Sequence, residues 1–163
     1  MELENAKLYS LDDAVTFRER LRAEGKKVVL TNGCFDLLHT GHLFFLQKAA
    51  EQGDCLFVAL NSAKSIQILK GLSRPIQGDV ERAYALSCLY FVDAIVPFDT
   101  PRLDREILAL KPDIYVKAGD YSPEKLDPTE RKALESTNTQ IRFLPFLQGY
   151  STTHLIAKIK EGE

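Results

Sequence analysis

Long apolar runs are missing from this chain of 163 residues: no stretch approaches the roughly 20 residues that a membrane span requires. Its first ten residues mix acids with polar groups, unlike the basic-then-apolar order of a secretory signal. A soluble, cytoplasmic protein is the expectation. Cysteine is scarce too. Cys34, Cys55 and Cys88 form no paired framework and none of the close spacings of a zinc site, which suits a reducing compartment. Charge of one sign is not in excess, since the formal net charge is -2, so no global positive field gathers a nucleic-acid backbone and no nucleic-acid partner is expected. Two phosphate signatures are absent, the G-x-x-x-x-G-K-[ST] loop and the G-x-G-x-x-G loop, which argues against an ordinary kinase or dehydrogenase. No repeat, low-complexity segment or interdomain linker interrupts the chain. One domain over 1–163 is therefore expected, with an N-terminal helical region at 1–25 and a core at 26–160.

What is present is a hydrophobic content of 45%, enough to bury a real core. Short apolar runs at 28–30, 55–60, 94–98, 113–116 and 141–144 read as buried strands, and helical spacing recurs at 11–24, 41–52, 79–90, 101–110 and 152–160. Ser10 or Asp12 suits the first helix as a cap. Strands alternating with helices predict an α/β fold: a Rossmann-like, doubly wound, five-stranded parallel sheet with right-handed crossovers.

In such sheets ligands bind beyond the carboxyl ends of the strands, where residues 31–42 fall. His39 and His42 stand at the mouth of the following helix, where two imidazoles, unpaired backbone N–H groups and the positive dipole end converge on one anion. Gly33 permits a tight turn, and Gly41 removes a Cβ between the histidines. Helix capping or half-burial would also account for the pair. So would a metal site with His154 as third ligand, completed by Asp36 or Asp120.

Between residues 62 and 82, Lys64, Lys70, Arg74 and Arg82 outnumber Asp79 and Glu81. Arg82 either binds phosphate oxygens with both prongs of its guanidinium or pairs with an acid on its own helix. Ser151, Thr152 and Thr153 read as caps of the last helix, with spare hydroxyls for an anion. Lys117, Gly119 and Asp120 follow the fourth strand, where Lys117 either meets the ligand or pairs with Asp120. Asp36 is open to three roles: orienting His39, Lys117 or a metal-bound water. Phe44, Phe45, Tyr90 and Phe91 read as core, with a dimer face as the alternative.

Thr31-Asn32-Gly33-Cys34-Phe35-Asp36-Leu37-Leu38-His39-Thr40-Gly41-His42 resembles the H-x-G-H signature of the cytidylyltransferase-like nucleotidyltransferases, and Gly149-Tyr150-Ser151-Thr152-Thr153 resembles their hydroxyl-rich second signature. Asn61-Ser62, Leu69-Lys70-Gly71, Arg74-Pro75, Val92-Asp93 and Val116-Lys117-Ala118-Gly119-Asp120-Tyr121 are most similar to the adenylyltransferase domain of ADP-heptose synthases. That resemblance runs from about Val28 to Lys160. It implies transfer of AMP from ATP, with Mg²⁺, to D-glycero-β-D-manno-heptose 1-phosphate, releasing pyrophosphate.

It also implies catalytic roles for His39, His42, Lys70 and Arg82. Nucleotide contacts are implied for Asn32, Gly33, Cys34, Phe35, Asp36, Gly41, Arg74, Lys117, Gly119, Asp120, Ser151, Thr152 and Thr153. No protein ligand for the metal is implied, and a homodimer is. Heptose enzymes of this kind are often fused to a sugar kinase, for which 163 residues leave no room, so a separate kinase is expected to supply the sugar phosphate. Ala118 stands where the family often has a second glycine. Phe146-Leu147-Gln148 precedes Gly149 where glycerol-phosphate cytidylyltransferases have an Arg-Thr pair. A cytidylyltransferase acting on glycerol 3-phosphate or a similar phosphate is the alternative enzyme, and a nucleotide-binding sensor the alternative outside enzymes.

Overall fold

The computed structural model describes residues 5–119, 123–145 and 147–162. Asp120, Tyr121 and Phe146 lie outside the described residues, and with them the expectation for Asp120. Five strands, β1 (Val28–Gly33), β2 (Cys55–Asn61), β3 (Ala94–Phe98), β4 (Ile114–Ala118) and β5 (Gln140–Leu144), form one sheet in the order β3-β2-β1-β4-β5. Every pairing is parallel.

Parallel strands flanked on both sides bury both faces, and the central β1 and β2 are correspondingly apolar on both over most of their length. Val28, Leu30, Phe57 and Ala59 join one core cluster, which includes residues of α1 (Leu11–Ala23), α5 (Asp104–Leu110) and α6 (Pro128–Ser136). Val29, Leu56, Val58 and Leu60 point the other way, into a cluster with residues of α2 (Thr40–Ala50) and α4 (Asp79–Ser87). Successive side chains on a strand alternate between faces, which separates the two layers.

The expected α/β architecture is therefore present, with differences of detail. β1 continues past Leu30 to Gly33, carrying Thr31 and Asn32 into the sheet. Ser10 is the cap of α1, accepting from the Asp13 N–H at 3.1 Å. Helix α4 ends at Ser87, short of residue 90, and Tyr90 is 82% exposed, so it is no core residue. Two helices went unanticipated, α3 (Ala63–Lys70) and α6, the latter capped by Asp127 with Pro128 in its first turn. Residues 7–9 lie along the edge of β3, where Ile95 donates to the Lys7 carbonyl at 2.7 Å and Tyr9 donates to the Ile95 carbonyl at 2.9 Å. The closing helix is α7 (Thr152–Glu161). Among the described residues no helix is long and apolar enough to cross a membrane.

Strand order reverses between β1 and β4. From β1 the chain steps outward to β2 and β3, then returns to the other side of β1 as β4 and β5. The ends of β1 and β4, at Gly33 and Ala118, thus flank the point where such sheets open a crevice.

Candidate active site

The turn out of β1 is built around an aromatic ring. Phe35 takes a positive φ of 43° and is buried, and its ring fills the space of a missing Cβ: a methyl on Gly33 would lie 2.8 Å from it. The same ring meets His42 edge-on, with centroids 5.3 Å apart. His39 occupies the cap position of α2 without making a side-chain capping bond, so capping does not account for it. Instead its ring stacks on His42, with centroids 3.8 Å apart and planes 24° from parallel. Gly41 makes room for this pair, since a Cβ there would meet the His39 ring at 3.1 Å and Tyr150 at 3.0 Å. The space of the missing Gly41 side chain is thus taken by the His39 ring and Tyr150.

Electrostatics keeps both imidazoles neutral. Burial pushes the His42 pKa down to about 4, assisted by His39 and by the charge of Lys70 and opposed by the Leu37 backbone. Burial also lowers that of His39. A neutral imidazole carries one N–H to donate and one lone pair to accept. The Nδ1 atoms of both rings are buried and meet no partner among the described residues.

Asp36 pairs with neither His39 nor Lys117, two of the roles expected of it. Its buried carboxylate accepts from Arg74 Nε at 2.7 Å, from the Ile76 N–H at 2.8 Å and from the Gln77 N–H at 2.9 Å. It orients neither histidine nor Lys117; it ties the loop after α3 to the turn after β1. Burial alone would raise its pKa, but the Gln77 and Ile76 amides and the Arg74 guanidinium outweigh that and hold it below the ordinary carboxylate value. Arg74 is thereby fixed at the crevice wall.

Arg82 also departs from expectation. Wholly buried, it donates from Nη1 to the carbonyls of Cys34 and Asn61, each at 2.7 Å, and pairs through Nη2 with Asp79 on its own helix. The salt-bridge alternative describes it, extended by two backbone carbonyls. It is not among the groups lining the crevice, so a direct phosphate contact does not follow from this geometry.

The crevice itself has a volume of about 220 Å³. Asn32, Gly33, Cys34, Phe35 and Asp36 line it from β1 and the turn, His42 and Phe45 from α2, Lys70 and Arg74 from α3 and its loop, and Lys117, Ala118 and Thr152 from the far side. A hollow of about 170 Å³ adjoins it, sharing His42, Phe45, Ala118 and Thr152 and adding His39, Gly41, Leu147, Tyr150 and Ser151. Ser151 caps α7, accepting from the His154 N–H at 3.1 Å, which leaves the Thr152 side chain at the crevice. Thr153 is exposed and lines neither space, and Lys64 is likewise exposed. Gly119, at φ 115°, is a buried turn whose N–H donates to the Leu144 carbonyl at 2.8 Å.

Phe45, Leu147 and Tyr150 are lining residues that sequence reasoning did not assign to the site. Phe45 lies one helical turn beyond His42, so the spacing carried a signal for it. The metal alternative finds no support, because no group of three potential ligands comes together among the described residues.

The family model for cytidylyltransferase-like proteins matches residues 30–158. The chain belongs to that family. It is a nucleotidyltransferase. Among its relatives, the "Bifunctional protein HldE" of Geotalea uraniireducens is 43% identical over 158 residues, covering 97% of this chain and 32% of that protein. The protein of the same name from Hydrogenovibrio crunogenus is 44% identical, covering 94% and 32%. The chain thus spans about a third of the length of the curated relatives it matches. The solved structure of a lipopolysaccharide core biosynthesis protein from Thermoplasma volcanium GSS1 has 25% identity and a TM-score of 0.61, covering 78% of this chain and all of that one. A pantoate-beta-alanine ligase from Francisella tularensis, 14% identical with a TM-score of 0.55, shares the fold.

Proposed function

We propose that this nucleotidyltransferase is an adenylyltransferase, moving AMP from ATP to D-glycero-β-D-manno-heptose 1-phosphate to give ADP-heptose and pyrophosphate for a heptose-containing glycan such as lipopolysaccharide core. One observation carries the chemical part: two stacked, neutral imidazoles lie at the start of α2, His42 in the wall that bears Lys70, Arg74 and Lys117 and His39 in the adjoining hollow. The substrate part is supported by identity of 43% and 44% to the HldE proteins over nearly the whole chain, and by the Val116-Lys117-Ala118-Gly119-Asp120 segment. In this reading a sugar-kinase reaction supplies the sugar 1-phosphate.

The acceptor's phosphate oxygen attacks the α-phosphorus of ATP. A new P–O bond forms, the bond from the α-phosphorus to the α,β-bridging oxygen breaks, and pyrophosphate leaves with that oxygen in line. No covalent nucleophile on the protein is needed; positioning and stabilisation of growing negative charge are its tasks. His39 and His42 donate to phosphate oxygens, and only the part of that interaction that strengthens in the transition state raises kcat. Lys70, Arg74 and Thr152 bind the phosphate chain. Arg82 and Asp36 act behind them, one on the Cys34 carbonyl and the other on Arg74. When bound, Mg²⁺ neutralises the departing pyrophosphate. Asp36, the carboxylate among the described crevice residues, is already engaged by three donors and would not be free to hold the ion.

The deciding experiment is pyrophosphate release with Mg²⁺ and heptose 1-phosphate, with ATP, CTP, GTP and UTP offered in parallel. Release with ATP favoured is the expected result. A preference for CTP with glycerol 3-phosphate would keep the phosphate chemistry and overturn the substrates.

A further inference from the structure

Beneath the crevice, β1 and β4 lie side by side with Leu30 opposite Tyr115. Asn32 and Lys117 each stand two residues further along their strands, and therefore on the same face as that pair. Both line the crevice. Tyr115 is wholly buried, and its hydroxyl donates to Asn32 Oδ1 at 2.7 Å while accepting from Lys117 Nζ at 3.3 Å. On the other side of Lys117 is Glu130 of α6. Its Oε1 accepts from the Leu103 N–H at 3.1 Å, which fixes the carboxylate, and its Oε2 lies 3.8 Å from Lys117 Nζ.

We infer that Tyr115 and Glu130 are positioning residues, which hold the Lys117 ammonium and the Asn32 amide side by side at the crevice floor as a receptor for a substrate phosphate oxygen.

The count of donors supports this. An ammonium has three N–H groups; Tyr115 accepts from one, and Glu130, at 3.8 Å, attracts the charge without taking a hydrogen bond, which leaves two N–H groups for the crevice. The phenol has one O–H, which is committed to Asn32 Oδ1, so the Asn32 NH₂ group is left to donate. Burial, with the nearby Glu130 charge, pushes the Tyr115 pKa far up, and the hydroxyl keeps its proton throughout the working range. Glu130 meanwhile stands too far back for a short contact that would saturate Lys117. A fixed cation beside a fixed amide donor suits an anionic oxygen with two lone pairs to offer. The inference rests on the phosphate-transfer reading and names two residues that reading does not use. The oxygen belongs either to ATP or to the sugar phosphate.

Calorimetry separates the sources. Mg·ATP and heptose 1-phosphate are titrated separately into the wild type, Tyr115→Phe and Glu130→Gln, and into both substitutions placed on a Lys117→Ala background. Glutamine keeps an oxygen for the Leu103 amide while losing the charge, so Glu130→Gln carries the test if Tyr115→Phe does not fold. The expected result is about tenfold weaker binding of one of the two ligands in each single variant; once Lys117 is gone, Glu130→Gln weakens it no further, because Glu130 acts on the receptor through Lys117, whereas Tyr115→Phe keeps a smaller loss through Asn32. Weakening of ATP binding assigns the oxygen to the nucleotide; weakening of the sugar phosphate assigns it to the acceptor. Unchanged affinity for both ligands overturns the inference, as does weakening by Glu130→Gln that persists in Lys117→Ala. Failure of the wild type to bind heptose 1-phosphate overturns the proposed acceptor instead, and the ATP titration then decides the positioning roles by itself.

Discussion

The two sides of the crevice are held in different ways. The turn after β1 is fastened from below and from the side: Arg82 grips the Cys34 carbonyl, Asp36 gathers three donors from residues 74–77, and the Phe35 ring packs beneath His42. Across from it, α7 has no fully buried residue, and Ile159 is 66% exposed. Its first turn is fixed by one side-chain bond, from the His154 amide to Ser151. The groups asked to meet changing charge stand on the fastened side. A donor that is already in place at the moment of reaction costs no reorganisation, and electrostatic catalysis draws on that property. The lightly held side contributes Thr152 and the open faces of Tyr150 and Ser151, where ligand entry and exit are compatible with a looser hold.

The sharpest way to break this contrast is to remove the donor on the fastened side. His42→Ala is expected to lower kcat about a hundredfold or more, roughly 3 kcal/mol of transition-state stabilisation, with an unchanged far-UV spectrum. Near-normal turnover would take the imidazoles out of the mechanism. Protonation gives a second handle. With its pKa near 4, His42 stays neutral from pH 8 to 5.5, so its titration contributes no acid limb to the rate there. Stability behaves differently, because below the ordinary value of 6.5 the unfolded chain takes up a proton that folded His42 refuses. Its contribution therefore declines as pH falls from 6.5 towards 4, and that part of the pH dependence disappears in His42→Ala.

A smaller effect is expected from loosening the fastening while sparing the histidines. Asp36→Asn removes the charge and turns an N–H towards Arg74 Nε, breaking a pair whose members are 1% and 16% exposed. The expected loss is about 3 kcal/mol, a fall in Tm of roughly 10 °C, accompanied by a higher KM for ATP as Arg74 is released. Because the folded carboxyl lies below its ordinary value of 3.8, the stabilisation is fully present above that value and lost as pH falls through the folded one. Acid unfolding of Asp36→Asn should lack this component. A variant with wild-type Tm and KM would mean that the bond between the two loops does not hold the wall.

Much of this arrangement was legible before any coordinates. The strands stood out because a parallel sheet buried on both faces needs unbroken apolar runs such as those of β2 and β3. The histidines at the mouth of α2 were legible for a similar reason, since spacing along one element determines where its side chains point. Helices α3 and α6 were not, because each is short and buries few apolar side chains, Ile66 in the first and Ala133 and Leu134 in the second. The partners of Asp36 lie about forty positions away, and only closure of the loop after α3 brings them together. Arg82 is legible in part, since the pair with Asp79 is one of its two readings, whereas its hold on two backbone carbonyls is not. It shares a helical face with Leu86 one turn later, and that spacing places it inside the protein, where a guanidinium must find carbonyls and an acid.

The mildest test addresses the lightly held side. Ser151→Ala deletes the single side-chain cap of α7, a loss of about 1 kcal/mol of local helix stability, which corresponds to roughly fivefold faster amide exchange through the helix. If the two sides are independent, exchange in the β1 to α2 turn stays as it was, and kcat falls by less than the hundredfold expected of His42→Ala. Faster exchange on both sides would show that α7 and the histidine turn open as one unit, and the difference between them would then be one of packing without a difference in cooperativity. Saturating Mg·ATP sharpens the comparison further. A ligand that bridges Thr152 and the histidines slows exchange in α7 more than in the turn, because binding adds most protection where the free protein opens most readily.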